Sequence, residues 1–238
     1  MRPTIEPRPD SVLRLFTGFF LVMMATGLVG YAFGAPESED KFDFIAFLVG
    51  NSVFQFGVLL IIHLFVRENQ LTWRQCFGFD AEGRAGAIQK GVFLGLVYVP
   101  VSAVMGFLIA QLLQGLGYQP QAQDVVETFS ETQALGERVY FGLVAVLVAP
   151  FWEESFFRGL LYPILALLVG KRKAAIATAI LFSLTHGNVL AFIPLAILGW
   201  MLVFLYEHTG TLWAPVAAHA SFNGLNLVLI MAGLSGAS

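Results

Sequence analysis

The sequence predicts an all-α fold: a polytopic membrane bundle of about seven transmembrane helices, with eight also allowed. Three observations predict it. Hydrophobic residues make up 57% of the 238, and charged residues only 12%. That charged share is roughly half the ~25% of a soluble domain. The apolar residues also fall into runs near the ~20 residues that a helix needs to cross the hydrocarbon core. A water-soluble chain of this size could not hide so much apolar surface, so lipid must be the solvent.

The runs are Val12–Phe33, Phe44–Val66, Ala87–Leu113, Val139–Val169, Ala174–His186, Val189–Tyr206 and Leu212–Leu234. The first could be read as a signal peptide, because Ala32-Phe33-Gly34 loosely resembles a cleavage site. Its apolar stretch exceeds the ~7–15 residues of a signal core, which predicts a retained span. The fourth run is too long for one straight crossing, and Pro150 and Pro163 could kink or split it, since proline lacks the amide and crowds the preceding turn. Ala174–His186 is short and is expected to end inside the bilayer. Residues 1–238 are read as one integral membrane domain.

Lysine and arginine distribution sets the expected orientation. Arg2, Arg8, Arg14, Arg67, Arg74, Arg84, Lys171, Arg172 and Lys173 fall on one side, with Lys90 near the same surface. The opposite loops hold only Lys41 and Arg138, against Glu37, Glu39, Asp40, Asp43, Asp124, Glu127, Glu131 and Glu137. The N-terminus is therefore expected in the cytoplasm, and the C-terminus outside if the spans number seven. Gln114–Glu137, rich in Gly, Pro, Gln and acids, is expected as a solvated outer connection. Thr72–Gly83, with Trp73, Phe77 and Phe79, suits the cytoplasmic interface. The net charge of −3 argues against nucleic acid as partner. One cysteine, Cys76, excludes an internal disulfide and a CxxC metal site.

Ionisable side chains inside a membrane cost about 2.5–3.5 kcal/mol near its centre, so each needs a reason. Here they concentrate late: Glu153, Glu154, Arg158, His186 and His219, joined by Asn223. His63, Asn51 and Gln55, on the earlier spans, read better as polar packing contacts. Glu153 and Glu154 point roughly 100° apart on a helix and are not expected to serve the same partner. Glu154 and Arg158 are i and i+4 with the acid first, the favourable order for an ion pair. Such a pair would leave Glu153 free to face a cavity. A structural ion-pair lock and a functional site remain equally open on these residues alone. His186 could partner a carboxylate base. His219 and Asn223, one turn apart on one face, suit stabilisation of an oxyanion.

Together the ordered set Glu153-Glu154-x-x-x-Arg158, Phe182-x-x-x-His186 and His219-x-x-x-Asn223 resembles the CAAX protease and bacteriocin-processing family, also called type II CAAX prenyl endopeptidases or Abi proteins. The resemblance covers roughly Ala149 to Asn226, within a motif region of about 139–232. It implies an all-helical intramembrane endopeptidase with a cavity open to the cytoplasmic side and a metal-independent glutamate mechanism. By that resemblance Glu153 with His186 activates water, His219 and Asn223 form the oxyanion hole, and Glu154 and Arg158 support the site. A membrane-associated peptide or protein would be the substrate, with no cofactor. Two histidines and two glutamates could instead ligate zinc, but no His-Glu-x-x-His occurs and the histidines lie on different helices. Two other classes remain: a non-catalytic immunity, self-protection or scaffold protein keeping the fold, and a proton-relaying transporter. The complete motif set favours the enzyme. The lack of inverted repeats and paired broken helices counts against the transporter.

Overall fold

The structure, a computed structural model, describes residues 7–33, 44–118, 129 and 134–233. The chain divides into two compact units, Pro3–Cys76 and Phe77–Ser238. The loop acids Glu37, Glu39, Asp40, Asp43, Asp124, Glu127 and Glu131, with Arg2 and Lys41, lie outside the described residues, as does most of the connection expected over Gln114–Glu137.

The first unit is built on two antiparallel helices, α1 (Pro9–Phe33) and α2 (Phe44–Glu68). Gly57 lets Val22 approach its backbone, and Ile61 sits over Gly18. At one end Arg14 bridges Asp10 and Glu68, while the Asn69 side chain binds Ser11. The polar residues of α2 make local contacts. Gln55 donates to Asn51 at 3.2 Å, and Trp73 donates to His63 Nδ1 at 3.0 Å. Trp73 begins the short helix α3 (Trp73–Phe77).

The second unit contains α4 (Arg84–Gly115), α5 (Leu135–Val169), α6 (Lys171–Leu184), α7 (Val189–Thr209) and α8 (Trp213–Met231). Among the described residues, six helices are long and apolar enough to cross a membrane: all except α3 and α6. At 1.5 Å per residue the 14 residues of α6 span about 21 Å, short of the ~30 Å core. It corresponds to the short fifth run, Ala174–His186. Large apolar side chains such as Phe20, Phe56, Phe93, Phe107, Leu168 and Trp200 stand exposed along these helices, as lipid-facing surfaces require.

The fourth hydrophobic run neither breaks nor splits. Helix α5 is continuous through both prolines because two stretches, Val144–Val148 and Ser155–Leu161, adopt π-helical turns. The Ala149 amide binds the Val144 carbonyl, and the Tyr162 amide binds that of Phe157, each five residues back. In both cases the carbonyl four residues before the proline, at Val146 or Gly159, lies in a widened turn. The ring then has room where an α turn would clash.

Glycine and alanine seat α8. A side chain on Gly91 would overlap the Ala214 carbonyl, and one on Gly95 would overlap that of Ala218. Gly91-x-x-x-Gly95 on α4 thus meets Ala214-x-x-x-Ala218 on α8, a small-residue seam of the kind that lets membrane helices touch backbone to backbone. Ser221 donates to the Val92 carbonyl along it. Phe77 and Phe79 turn inward from their expected interfacial setting. Phe77 is fully buried and its ring occupies the space that a side chain on Gly159 would need. Phe79 packs on Trp213 and Phe151.

Candidate active site

Four helices converge on one cluster. Helix α5 carries Glu153 at its α-helical segment between the two π stretches, with Glu154 beside it and Arg158 in the second stretch. Arg158 Nη1 donates to Glu154 Oε1 at 2.9 Å, and both side chains have no solvent exposure. The i,i+4 pair read from the sequence therefore forms. Arg158 is satisfied further by α7, its Nη2 donating to the Gly199 carbonyl at 3.0 Å. A side chain at Gly199 would press on Ala179 and Phe182, so that glycine lets α6 and α7 approach closely.

Phe182 joins the charged and imidazole groups. Its ring is fully buried, lies 4.3 Å from Arg158 Cζ, and contacts the rings of His186 and His219 at 4.9 and 5.6 Å. A guanidinium over an aromatic face gains cation–π attraction, which is larger where water is excluded. Phe182 was legible only as one letter of a motif. Its side-chain role as the common wall of three polar residues was not.

His219, 3% exposed, reaches back from α8 to both acids. Its Nδ1 lies 2.9 Å from Glu154 Oε1 and its Nε2 lies 3.9 Å from Glu153 Oε2. This corrects the expectation that adjacent carboxylates serve separate partners. The 100° argument holds for a partner on the same helix, but an imidazole from a facing helix presents nitrogens on opposite edges. Glu154 Oε1 accepts from Arg158 and His219 together, whereas Glu153 Oε2 is buried without a hydrogen bond among the described residues. The Glu153 side chain is 15% exposed.

The other two predicted residues lie nearby with different ties. His186 lies in the turn that follows α6. Gly187, at φ +63°, turns the chain, and Asn188 caps α7 by accepting from the Ala191 amide. His186 Nδ1 is 2.8 Å from the Phe182 carbonyl. A carbonyl only accepts, so Nδ1 carries the proton, and Nε2 of the neutral ring is left as an acceptor. Asn223 donates through Nδ2 to the Ala145 carbonyl at 2.8 Å. Its sequence spacing gave the face shared with His219 but no hint of this backbone partner. Among the described residues, no three His, Cys, Asp or Glu side chains converge to hold a metal ion.

Fold and site together define a polytopic helical membrane protein with a buried acid–base cluster where its C-terminal helices meet. Residues 135–225 match the family model described as Type II CAAX prenyl endopeptidase Rce1-like. A protein of Bacillus subtilis (strain 168) named "Putative membrane peptidase YdiL" is 25% identical over 138 residues, covering 54% of each chain. The chain spans about half the length of that curated relative. No solved structure matches it significantly. Both matches support the resemblance to the CAAX protease and bacteriocin-processing family that the motif residues carry.

Proposed function

We propose that this protein is an intramembrane endopeptidase that cuts a peptide bond near the cytoplasmic membrane face by a metal-independent glutamate mechanism. The observation carrying this reading is Glu153. It is a partly exposed acid with one buried oxygen that makes no hydrogen bond among the described residues, set beside a histidine that a second acid holds in place. Glu154 also keeps one oxygen, Oε2, without a hydrogen bond among the described residues, but its side chain is fully buried; of the two acids Glu153 is the one that reaches solvent, as a base meeting water and substrate must.

The steps follow from these groups. Glu153 takes a proton from water, whose other hydrogen is accepted by His186 Nε2. The water oxygen attacks the peptide carbonyl carbon, and the electron pair moves to the carbonyl oxygen. His219, protonated on both nitrogens and held at Nδ1 by Glu154, offers Nε2–H to that oxyanion. The second N–H of Asn223 does the same. Collapse breaks the C–N bond as Glu153 returns its proton to the leaving nitrogen, giving a carboxylic acid and an amine. Glu154, Arg158 and Phe182 hold these groups without touching substrate.

Proteomic comparison of membranes carrying native protein and Glu153→Gln tests the activity. A peptide terminus should be present with the native protein and missing with the variant. Identical termini in both would leave a non-catalytic scaffold as the better reading.

The cytoplasmic site rests on the proposed orientation, supported by the basic cluster at Lys171–Lys173. These three cations open α6, where the helix dipole disfavours them. Their placement thus serves topology better than helix stability. Cys76 is buried and can be replaced by alanine for labelling. In that background a cysteine at Ser38 should react with an impermeant maleimide on intact cells, and one at Lys171 only after permeabilisation. External labelling at Lys171 would overturn the orientation.

A further inference from the structure

Two amides of α5 could normally bind the Ala145 carbonyl: that of residue 149 in an α turn, or that of residue 150 in a π turn. Neither does. The Ala149 amide goes to Val144, and residue 150 is proline, which has no amide hydrogen. A backbone carbonyl without a partner inside a membrane costs free energy. Here the gap is filled from α8, by Asn223 Nδ2 at 2.8 Å.

We infer that Pro150 is a positioning residue for Asn223: by withholding an amide from the Ala145 carbonyl, it turns that oxygen into an anchor that fixes which way the Asn223 carboxamide faces. This rests on the reading of Asn223 as an oxyanion donor. A carboxamide is nearly symmetric in shape, and a half-turn exchanges its donor and acceptor ends. An oxyanion hole needs the donor end. The Ala145 carbonyl can only accept, so it selects the orientation with Nδ2 inward and leaves the second N–H of the same nitrogen for the substrate. His219, one turn away, is fixed in the same manner by Glu154. Both proposed oxyanion donors of α8 are thus oriented by acceptors on α5, one a carboxylate and one a carbonyl that proline keeps open.

Pro150→Ala restores an amide that can reach the Ala145 or Val146 carbonyl and compete with Asn223. The test is a thermal-melt cycle in detergent with kinetics alongside. In the native background Asn223→Ala should lower Tm. In Pro150→Ala the same change should lower it by less than about half as much, because a backbone amide now covers the carbonyl. Pro150→Ala should reduce kcat on the order of tenfold with KM within about twofold, as expected when a transition-state donor is misaligned. Asn223→Asp, which sets an acceptor against the carbonyl, should lower Tm at least as much as Asn223→Ala; this arm stands even if Pro150→Ala does not fold. Additive Tm losses, or a native Tm for Asn223→Asp, would overturn the anchor whatever the activity. Coupled losses with unchanged kcat would overturn the positioning role. Absence of peptidase activity in the native protein would instead remove the catalytic reading, which the melts do not depend on.

Discussion

Glu153→Gln is expected to reduce turnover by about 10⁴-fold or more while the protein keeps its fold. One positioned acid–base group contributes roughly 10²–10⁴, and in the proposed cycle Glu153 acts twice, on the water and on the leaving nitrogen. The fold should survive because the amide is nearly isosteric and the Glu153 Oε2 atom makes no hydrogen bond among the described residues. Asn223→Ala should behave differently. Loss of one oxyanion donor costs roughly 10²–10³ in kcat, so measurable activity remains. Its stability should fall, because the Ala145 carbonyl loses its partner. Purified proteins assayed on a peptide identified from the membrane comparison decide this. Near-native turnover by Glu153→Gln would sink the mechanism.

Arg158→Ala should cost on the order of 3–5 kcal/mol of stability, the usual penalty for orphaning one member of a buried ion pair. Three attachments go at once: the bond to Glu154, the bond to the Gly199 carbonyl and the contact with the Phe182 ring. A double change that removes both charges should recover part of the loss. How much depends on the replacement at 154, since Glu154 Oε1 also faces His219 Nδ1. Glu154→Gln with Arg158→Met keeps an acceptor for the imidazole and should recover more than Glu154→Leu with Arg158→Met. Thermal melts of the singles and doubles give the coupling energy. A value of zero would defeat the ion pair as a stabilising element and require Arg158 to be argued through substrate contact.

The helices were legible because hydropathy is a local signal, and the Glu154–Arg158 pair because i,i+4 geometry is local too. What the sequence did not disclose is tertiary. Pro150 and Pro163 read as breakers under rules for α turns, and here each follows a π turn whose longer hydrogen bond makes room for its ring. The double reach of His219 needs a second helix at a particular distance. The Asn223 partner is a main-chain carbonyl, which no residue pattern marks. The seam between Gly91, Gly95, Ala214 and Ala218 is a different case. Its spacing is plain in the sequence, but small residues four apart are common in apolar helices and say nothing about which partner they meet.

The π stretches of α5 have a consequence for how such a chain can vary. Each holds roughly one residue more than an α-helical path between the same endpoints, and Glu153 and Glu154 lie between the two. Removing one residue from Val144–Val148 would relax that stretch to α geometry without breaking the rod. It would leave the acid-bearing segment in phase with the preceding turns, whereas the same deletion from a regular α turn would rotate that segment by about 100°, the rotation per residue. The direction in which the acids face therefore tolerates a one-residue change of length at a π stretch and not in the α turns beside it. An indel of one residue, ordinarily confined to loops, can be absorbed here inside a helix without turning the acids about its axis.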